Sequence, residues 1–204
     1  MPLLVLGTSN RKKAIELREL LGPLGFELKT LADLPNAISV EETGETFAAN
    51  AALKAIEQAQ HLGEWVLGED SGLAVDALGG APGVYSARYS GPDATDEANN
   101  QKLLRELVGV PLEKRAAHYV CHATLSDPNG NIRAECEGHC HGRILLTLSG
   151  TEGFGYDPLF EIPEYHRTFG QLGLAVKGIL SHRSRALRQL IPQLVQLSDG
   201  GAWG

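Results

Sequence analysis

Leu3-Leu4-Val5-Leu6-Gly7-Thr8-Ser9-Asn10-Arg11-Lys12-Lys13 decides how the chain begins to fold. Leu3 to Leu6 form a short apolar run bounded by the polar loop Gly7-Thr8-Ser9-Asn10. From Ala14 to Leu24 the apolar residues at 14, 17, 21 and 24 repeat with the spacing of one helical face. Strand, polar loop and helix in that order open an α/β unit, and the Gly22-Pro23 pair leaves the last turn of the helix open. The pattern continues outward. Thr46 to Leu62, rich in alanine and free of proline and glycine, predicts a second helix. Trp65-Val66-Leu67-Gly68 reads as a buried strand that ends in Glu69-Asp70-Ser71. Gly79 to Gly91 reads as a long loop, and Asp93 to Val108 as a helix. His118 to Leu125 and Ile132 to Ile144 alternate as paired strands around a Pro128-Asn129-Gly130 turn. Ser184 to Leu197 predicts a C-terminal helix, broken or bent at Pro192. Helices interleaved with apolar strands predict an α/β fold on a mixed sheet.

The composition excludes several classes. With 204 residues, 43% hydrophobic and 21% charged, the chain has enough apolar material for one domain or two intimate lobes. A net charge of −7 gives no basic field for nucleic acid, so an anionic ligand needs a locally basic pocket. Three cysteines, an odd number, argue against a disulfide framework. The basic cluster follows the first apolar run, the reverse of a signal peptide, and no stretch approaches the roughly 20 apolar residues that cross a bilayer. A cytoplasmic protein with no membrane partner is the expectation.

Five segments carry possible chemistry. Thr8-Ser9-Asn10-Arg11-Lys12-Lys13 gathers hydroxyls, an amide and three cations where a helix begins and exposed N–H groups favour an anion. It is not a Walker A loop, and an ordinary capped, solvated helix start is the competing reading. Glu41-Glu42 precede the helix that carries Asn50 and Lys54 on one face. They are either a solvated acidic turn or part of a magnesium site, which needs one or two carboxylates beside substrate phosphates. Glu69-Asp70-Ser71-Gly72 places two acids at a strand end, where a carboxylate can hold a metal or accept a proton from water, or simply stabilise a turn. Gly153-Phe154-Gly155-Tyr156-Asp157-Pro158 is a β-turn with two core aromatics, or a loop that stacks a ring on a nucleobase. Lys177-Gly178-Ile179-Leu180-Ser181-His182-Arg183 gathers cations just before a helix that Ser181 could cap; they are exposed, or they read acceptor atoms. Cys121, His122, Cys136, His139, Cys140 and His141 suggest zinc at a glance. They alternate along predicted strands, where neighbours point to opposite faces, which argues against one shared ion.

Taken together, these segments resemble the inosine triphosphate pyrophosphatase family, and within it the bacterial dITP/XTP pyrophosphatases. The likeness runs from Thr8 to about Leu187. Its most specific stretch is DSGLAVDALGGAPGVYSARYSG, Asp70 to Gly91, with GFGYDPLF and SHRSRAL in support. The resemblance implies a single domain over residues 1–204, built as a long mixed central sheet with flanking helices and two lobes around a deep cleft. It implies a homodimer that uses Mg²⁺ to convert a nucleoside triphosphate and water into monophosphate and pyrophosphate, with ITP, dITP and XTP favoured. Thr8, Ser9, Asn10, Arg11, Lys12 and Lys13 would hold the triphosphate, Asn10 and Lys13 foremost, and Lys54 would add a contact. Glu41 or Glu42 would bind Mg²⁺ with Asp70. Asp70 would also take the proton of the attacking water, with Glu69 assisting and Ser71 touching substrate. Phe154, Gly155, Tyr156 and Asp157, with Phe154 stacking on the base, would form a nucleoside pocket with Lys177, His182 and Arg183. Donors such as His182 and Arg183 would suit a 6-keto purine, which shows an acceptor where adenine shows an amino group. A pyrophosphatase of the related Maf type and a non-catalytic nucleotide sensor are the alternatives. Two departures stand out: Thr168-Phe169-Gly170-Gln171-Leu172 has Gln171 where the family carries glutamate, and Gly178 follows the lysine where the family often has Asn or Ser, which together predict an altered lid over the base.

Overall fold

A computed structural model describes residues 2–203. Seven strands, β1 (Leu3–Gly7), β2 (Glu27–Thr30), β3 (Val66–Val75), β4 (Ala116–Ser126), β5 (Ile132–Ile144), β6 (Phe160–Ile162) and β7 (Arg167–Thr168), form one sheet in the order β2-β1-β3-β4-β5-β6-β7. The helices are α1 (Arg11–Leu21), α2 (Phe47–Leu62), α3 (Asp96–Glu106), α4 (Phe169–Leu180) and α5 (His182–Asp199). The sheet is mixed, as expected. β1 pairs in parallel with β2 and β3, whereas β6 pairs antiparallel with β5 and β7.

The chain divides into two compact units. One takes the residues up to Asp70, Cys121–Gly138 and those from Arg183 on; the other takes Ser71–Val120 and His139–His182. In the first unit, strand alternation sends successive side chains to opposite faces of the sheet. Leu4, Leu6 and Leu67 face one way and meet Leu17 and Leu21 of α1 and Ala186, Leu187, Leu190 and Leu194 of α5. Val5 and Val66 face the other way and meet Ala59 of α2. The Trp203 ring stacks on Trp65 at 4.1 Å and donates its indole N–H to the Leu3 carbonyl at 3.1 Å, which pins the end of the chain to this core. The second unit has its own core, in which Leu73, Val75, Tyr119, Ile144 and Phe160 of the strands pack with Leu103 and Leu107 of α3 and Phe169 of α4.

Several sequence expectations need correction. β3 does not end at the acids but runs ten residues to Val75, so Glu69 and Asp70 lie inside a strand. Residues 83–88, within the expected loop, wind into 3₁₀ turns. α5 begins two residues earlier than the periodicity suggested and passes through Pro192 without a break. Lys177 lies inside α4, a helix that the glycine content of 169–180 concealed, and Ser181 stands between the end of α4 and the start of α5. At Gly173, φ +76° interrupts α4, which therefore joins two helical pieces. Gln171 has a clear local role, because its Oε1 accepts the Thr168 N–H at 3.0 Å in a capping box at the start of α4, as a glutamate would.

Gly68 lies in close contact with α2. A Cβ there would stand 2.3 Å from the Ala51 carbonyl oxygen and 2.6 Å from the Ala55 nitrogen. Only the absence of a side chain lets α2 lie directly on β3. Gly68→Ala is expected to lower unfolding stability by about 1–3 kcal/mol through overpacking, read from urea denaturation. An unchanged midpoint would show that α2 has slack to move.

Candidate active site

Because β3 alternates, the two adjacent acids turn to opposite faces and meet different partners. Asp70 turns toward α2, on the same side as Gly68. Its Oδ1 accepts from Lys54 Nζ at 3.0 Å and its Oδ2 from Asn50 Nδ2 at 3.3 Å. Asn50 and Lys54, four residues apart, are brought there together by one helical face. Lys54 also reaches Glu42 Oε1 at 3.3 Å, so Glu42 is the member of the acidic pair drawn to Asp70, while Glu41 is exposed. Burial holds the Asp70 carboxyl above the usual carboxylate range; the Lys54 and Lys13 ammoniums act the other way, and Glu42 adds to the rise. Asp70 is therefore more basic than a surface aspartate while remaining charge-paired.

Glu69 turns the other way and is enclosed. Its Oε1 accepts from Arg183 Nη2 at 2.8 Å and from the Cys121 thiol at 3.4 Å, and its Oε2 lies 3.2 Å from Lys13 Nζ. The other arm of Arg183 meets Glu16, which stands three residues after Lys13 on α1. Two acids and two cations thus form an array around the fully buried pair of Arg183 and Glu69. Burial alone would lower the Arg183 pKa, but Glu69 and Glu16 raise it overall, so the guanidinium stays charged. Burial and then Glu69 push the Cys121 thiol up, which leaves it neutral and a poor nucleophile.

The Thr8–Lys13 segment folds as a capped helix start. Thr8 Oγ1 accepts the Asn10 N–H at 3.1 Å, and Asn10 Oδ1 accepts the N–H groups of Lys12 and Lys13 at 3.0 and 3.2 Å. Ser9, Arg11 and Lys12 are exposed at this end, and Lys13 reaches Glu69. The capping reading holds: the Asn10 oxygen takes the Lys12 and Lys13 N–H groups, and the cationic side chains remain at the same helix end.

In the second unit, Asp157 organises the aromatic loop. Its Oδ2 accepts from Lys177 Nζ at 2.6 Å and from the Phe154 N–H at 2.8 Å, and its Oδ1 from the Tyr119 hydroxyl at 3.4 Å. Lys177 Nζ lies 3.9 Å from the centre of the Phe154 ring, a cation–π contact. Tyr156 is a core residue whose hydroxyl donates to the Ser86 carbonyl at 2.8 Å. Any substrate contact by Tyr156 would come from its backbone. The His182 ring stacks on Tyr119 at 4.7 Å. Ser71 is half-buried at the start of this unit.

The donor set can be weighed against a divalent cation. Among the described residues, no three His, Cys, Asp or Glu side chains close on a point that could hold a metal alone. Asp70 and Glu42, either side of Lys54, instead supply the one or two carboxylates that Mg²⁺ takes when water and phosphate oxygens complete its shell. The residues fit a magnesium ion that arrives with a polyphosphate.

The sequence matches the Ham1 family over residues 4–193. The chain belongs to the Ham1 family. A protein of Rhodopirellula baltica named dITP/XTP pyrophosphatase is 63% identical over 194 residues, 95% of this chain and 93% of that protein. One of the same name from Geobacter sulfurreducens is 50% identical over 190 residues, 93% of this chain and 95% of that one. A HAM1 protein from Coxiella burnetii has a solved structure that matches with a TM-score of 0.88 at 37% identity, covering 96% of this chain and 100% of that chain. A nucleoside-triphosphatase / dITP/XTP pyrophosphatase from Mycobacterium abscessus matches with a TM-score of 0.75 at 41% identity, covering 94% and 98%. The mixed α/β fold expected from sequence is thus a Ham1 fold.

Glu16 in the first unit and Tyr119 in the second are partners that the sequence of this Ham1 chain did not single out. Glu16 was legible in principle, because an acid three residues after Lys13 shares its helical face. Tyr119 carried no signal, since it is one more apolar position in an alternating strand. The buried array makes a quantitative expectation. Arg183→Met leaves Glu69 and Glu16 without their shared cation and is expected to lower stability by about 3–5 kcal/mol, measured by denaturant unfolding. A midpoint within error of the unmodified protein would contradict the array's structural role.

Proposed function

We propose that this chain hydrolyses non-standard purine nucleoside triphosphates, ITP, dITP and XTP, to the monophosphate and pyrophosphate. The observation that carries the reading is the buried, basic Asp70 carboxylate held between Asn50 and Lys54 in a chain so similar to proteins named dITP/XTP pyrophosphatase. Asp70 orients a water toward the α-phosphorus and accepts its proton as the P–O bond to the pyrophosphate leaving group breaks. Lys13 and Lys54 offset the charge that gathers on the phosphate oxygens, and the Thr8–Lys13 helix start cradles the polyphosphate. Asp70 and Glu42, or its neighbour Glu41, would hold Mg²⁺, which when bound would draw electron density from the phosphoryl oxygens. Glu69 acts from behind by fixing Lys13. Such chemistry rests on alignment and charge neutralisation more than on covalent catalysis.

The base falls to the aromatic loop. Phe154 supplies the stacking face, and Lys177, Asp157 and His182 supply polar contacts. Arg183, which the resemblance adds to the base-binding residues, has its guanidinium braced by Glu16 and Glu69. We further propose, from the family resemblance, that the enzyme works as a cytoplasmic homodimer. No helix among the described residues is long and apolar enough to cross a membrane.

Purified protein given ITP, XTP, dITP, GTP and ATP is expected to release pyrophosphate from the first three at least about tenfold faster in kcat/KM than from ATP. Chelation of Mg²⁺ with EDTA is expected to stop turnover. Release of orthophosphate, or equal rates on ATP, would contradict the proposal, and turnover in EDTA would remove the metal from it. Light scattering after gel filtration should give twice the chain mass; a monomer would end the dimer reading.

A further inference from the structure

Both backbone polar groups of Gly155 are held by side chains from outside its loop. The Gly155 N–H donates to Asp96 Oδ2 at 3.0 Å, and its carbonyl accepts from Asn100 Nδ2 at 2.8 Å. Asp96 and Asn100 are one turn apart at the start of α3 and therefore share a face. Gly155 itself has φ +61°, a left-handed conformation that a glycine adopts readily but that still needs fixing. The neighbouring Asn99 strengthens the arrangement. Its Nδ2 donates to the Ser86 and Ala87 carbonyls at 3.4 and 3.2 Å, and its Oδ1 accepts the Ser90 N–H at 2.7 Å. The Ser86 carbonyl is the one that takes the Tyr156 hydroxyl. α3 thus holds two consecutive residues of the aromatic loop, Gly155 directly and Tyr156 through residue 86.

Asn100 has a further property. It is 4% exposed, and its Oδ1 has no hydrogen-bond partner among the described residues. A buried amide with an unsatisfied oxygen is costlier than an apolar side chain of similar size. The grip of its donor end on Gly155 accounts for an amide at this position.

We propose that Asp96 and Asn100 are positioning residues for nucleobase recognition, a clamp that fixes the loop so that Phe154 presents its ring in one orientation. The proposal rests on the reading above that Phe154 stacks on the base. A loop held in its binding geometry does not have to be ordered by the ligand, so its release weakens binding by the fraction of time it is misplaced. The chemistry at Asp70 uses none of these groups, so the loss falls on KM and not on kcat.

Steady-state kinetics with ITP and Mg²⁺ test this, alongside inhibition by tripolyphosphate, which has no base. In Asp96→Ala and in Asn100→Ala, KM for ITP is expected to rise about 5- to 20-fold, with kcat within about twofold and the tripolyphosphate inhibition constant unchanged. Asp96→Asn, which keeps an acceptor oxygen, should recover most of the affinity. Asp96 is exposed, so its variants carry the test if Asn100→Ala does not fold. An unchanged KM in Asp96→Ala, a fall confined to kcat, or an equal weakening of tripolyphosphate would overturn the clamp. Phe154→Leu separates the two readings. A raised KM there with unchanged KM in the clamp variants removes the clamp alone, and an unchanged KM in Phe154→Leu removes the stacking reading and the clamp with it.

Discussion

Helix α2 lies against β3 at a distance that leaves no room for a Cβ at residue 68, and the first unit's chemistry is arranged around that contact. Gly68 and Asp70 point to the same face of the strand, so the helix that covers Gly68 also covers Asp70. Asn50 and Lys54 then meet the carboxylate at hydrogen-bonding distance. A larger residue at 68 would lift the helix and lengthen both contacts together. The packing constraint and the functional geometry are the same constraint.

Strand alternation does the second part. Glu69 and Asp70 are adjacent in sequence but occupy opposite faces, and their surroundings drive them to different ends. Glu69 is enclosed with Arg183, Lys13 and the Cys121 thiol, and Glu16 completes the charge balance. The fully buried pair of Arg183 and Glu69 is the part whose breaking costs most, because either one left without the other is a buried charge with weakened compensation. Asp70 is raised by burial and keeps a lysine and an amide for company. Neighbouring carboxylates with divergent environments are a recurring way to divide structural and chemical work.

Much of this was legible in the sequence, for identifiable reasons. The run from Leu3 to Lys13 gave a strand, a cap and a helix because apolar spacing and an Asn before a helix are local signals. Thr46 to Leu62 was equally plain, lacking glycine and proline. α4 was hidden because Gly170, Gly173 and Gly178 weaken its helical signal, and its first piece is fixed by the capping box and by burial of Phe169. The short strands β6 and β7 lack the length for alternation to register. The extension of β3 beyond Asp70 was missed because Ser71-Gly72 reads as a turn until sheet pairing overrides it. In the site, residue types announced Asp70, Lys54 and the Phe154 loop. Partners distant in sequence did not announce themselves: Tyr119 on Asp157 and Glu16 on Arg183 depend on the tertiary fold.

The central claim is the division of roles between two adjacent acids, and one paired measurement tests it most directly. kcat and the denaturation midpoint should be determined together for Asp70→Asn and Glu69→Ala. Asp70→Asn is expected to lose at least about a hundredfold in kcat at an unchanged or higher midpoint, because an isosteric amide relieves a buried charge. Glu69→Ala is expected to lower the midpoint sharply, because Arg183 and Lys13 lose their shared carboxylate. If the two variants instead lose turnover alike at unchanged midpoints, the division is wrong and both acids belong to the chemistry.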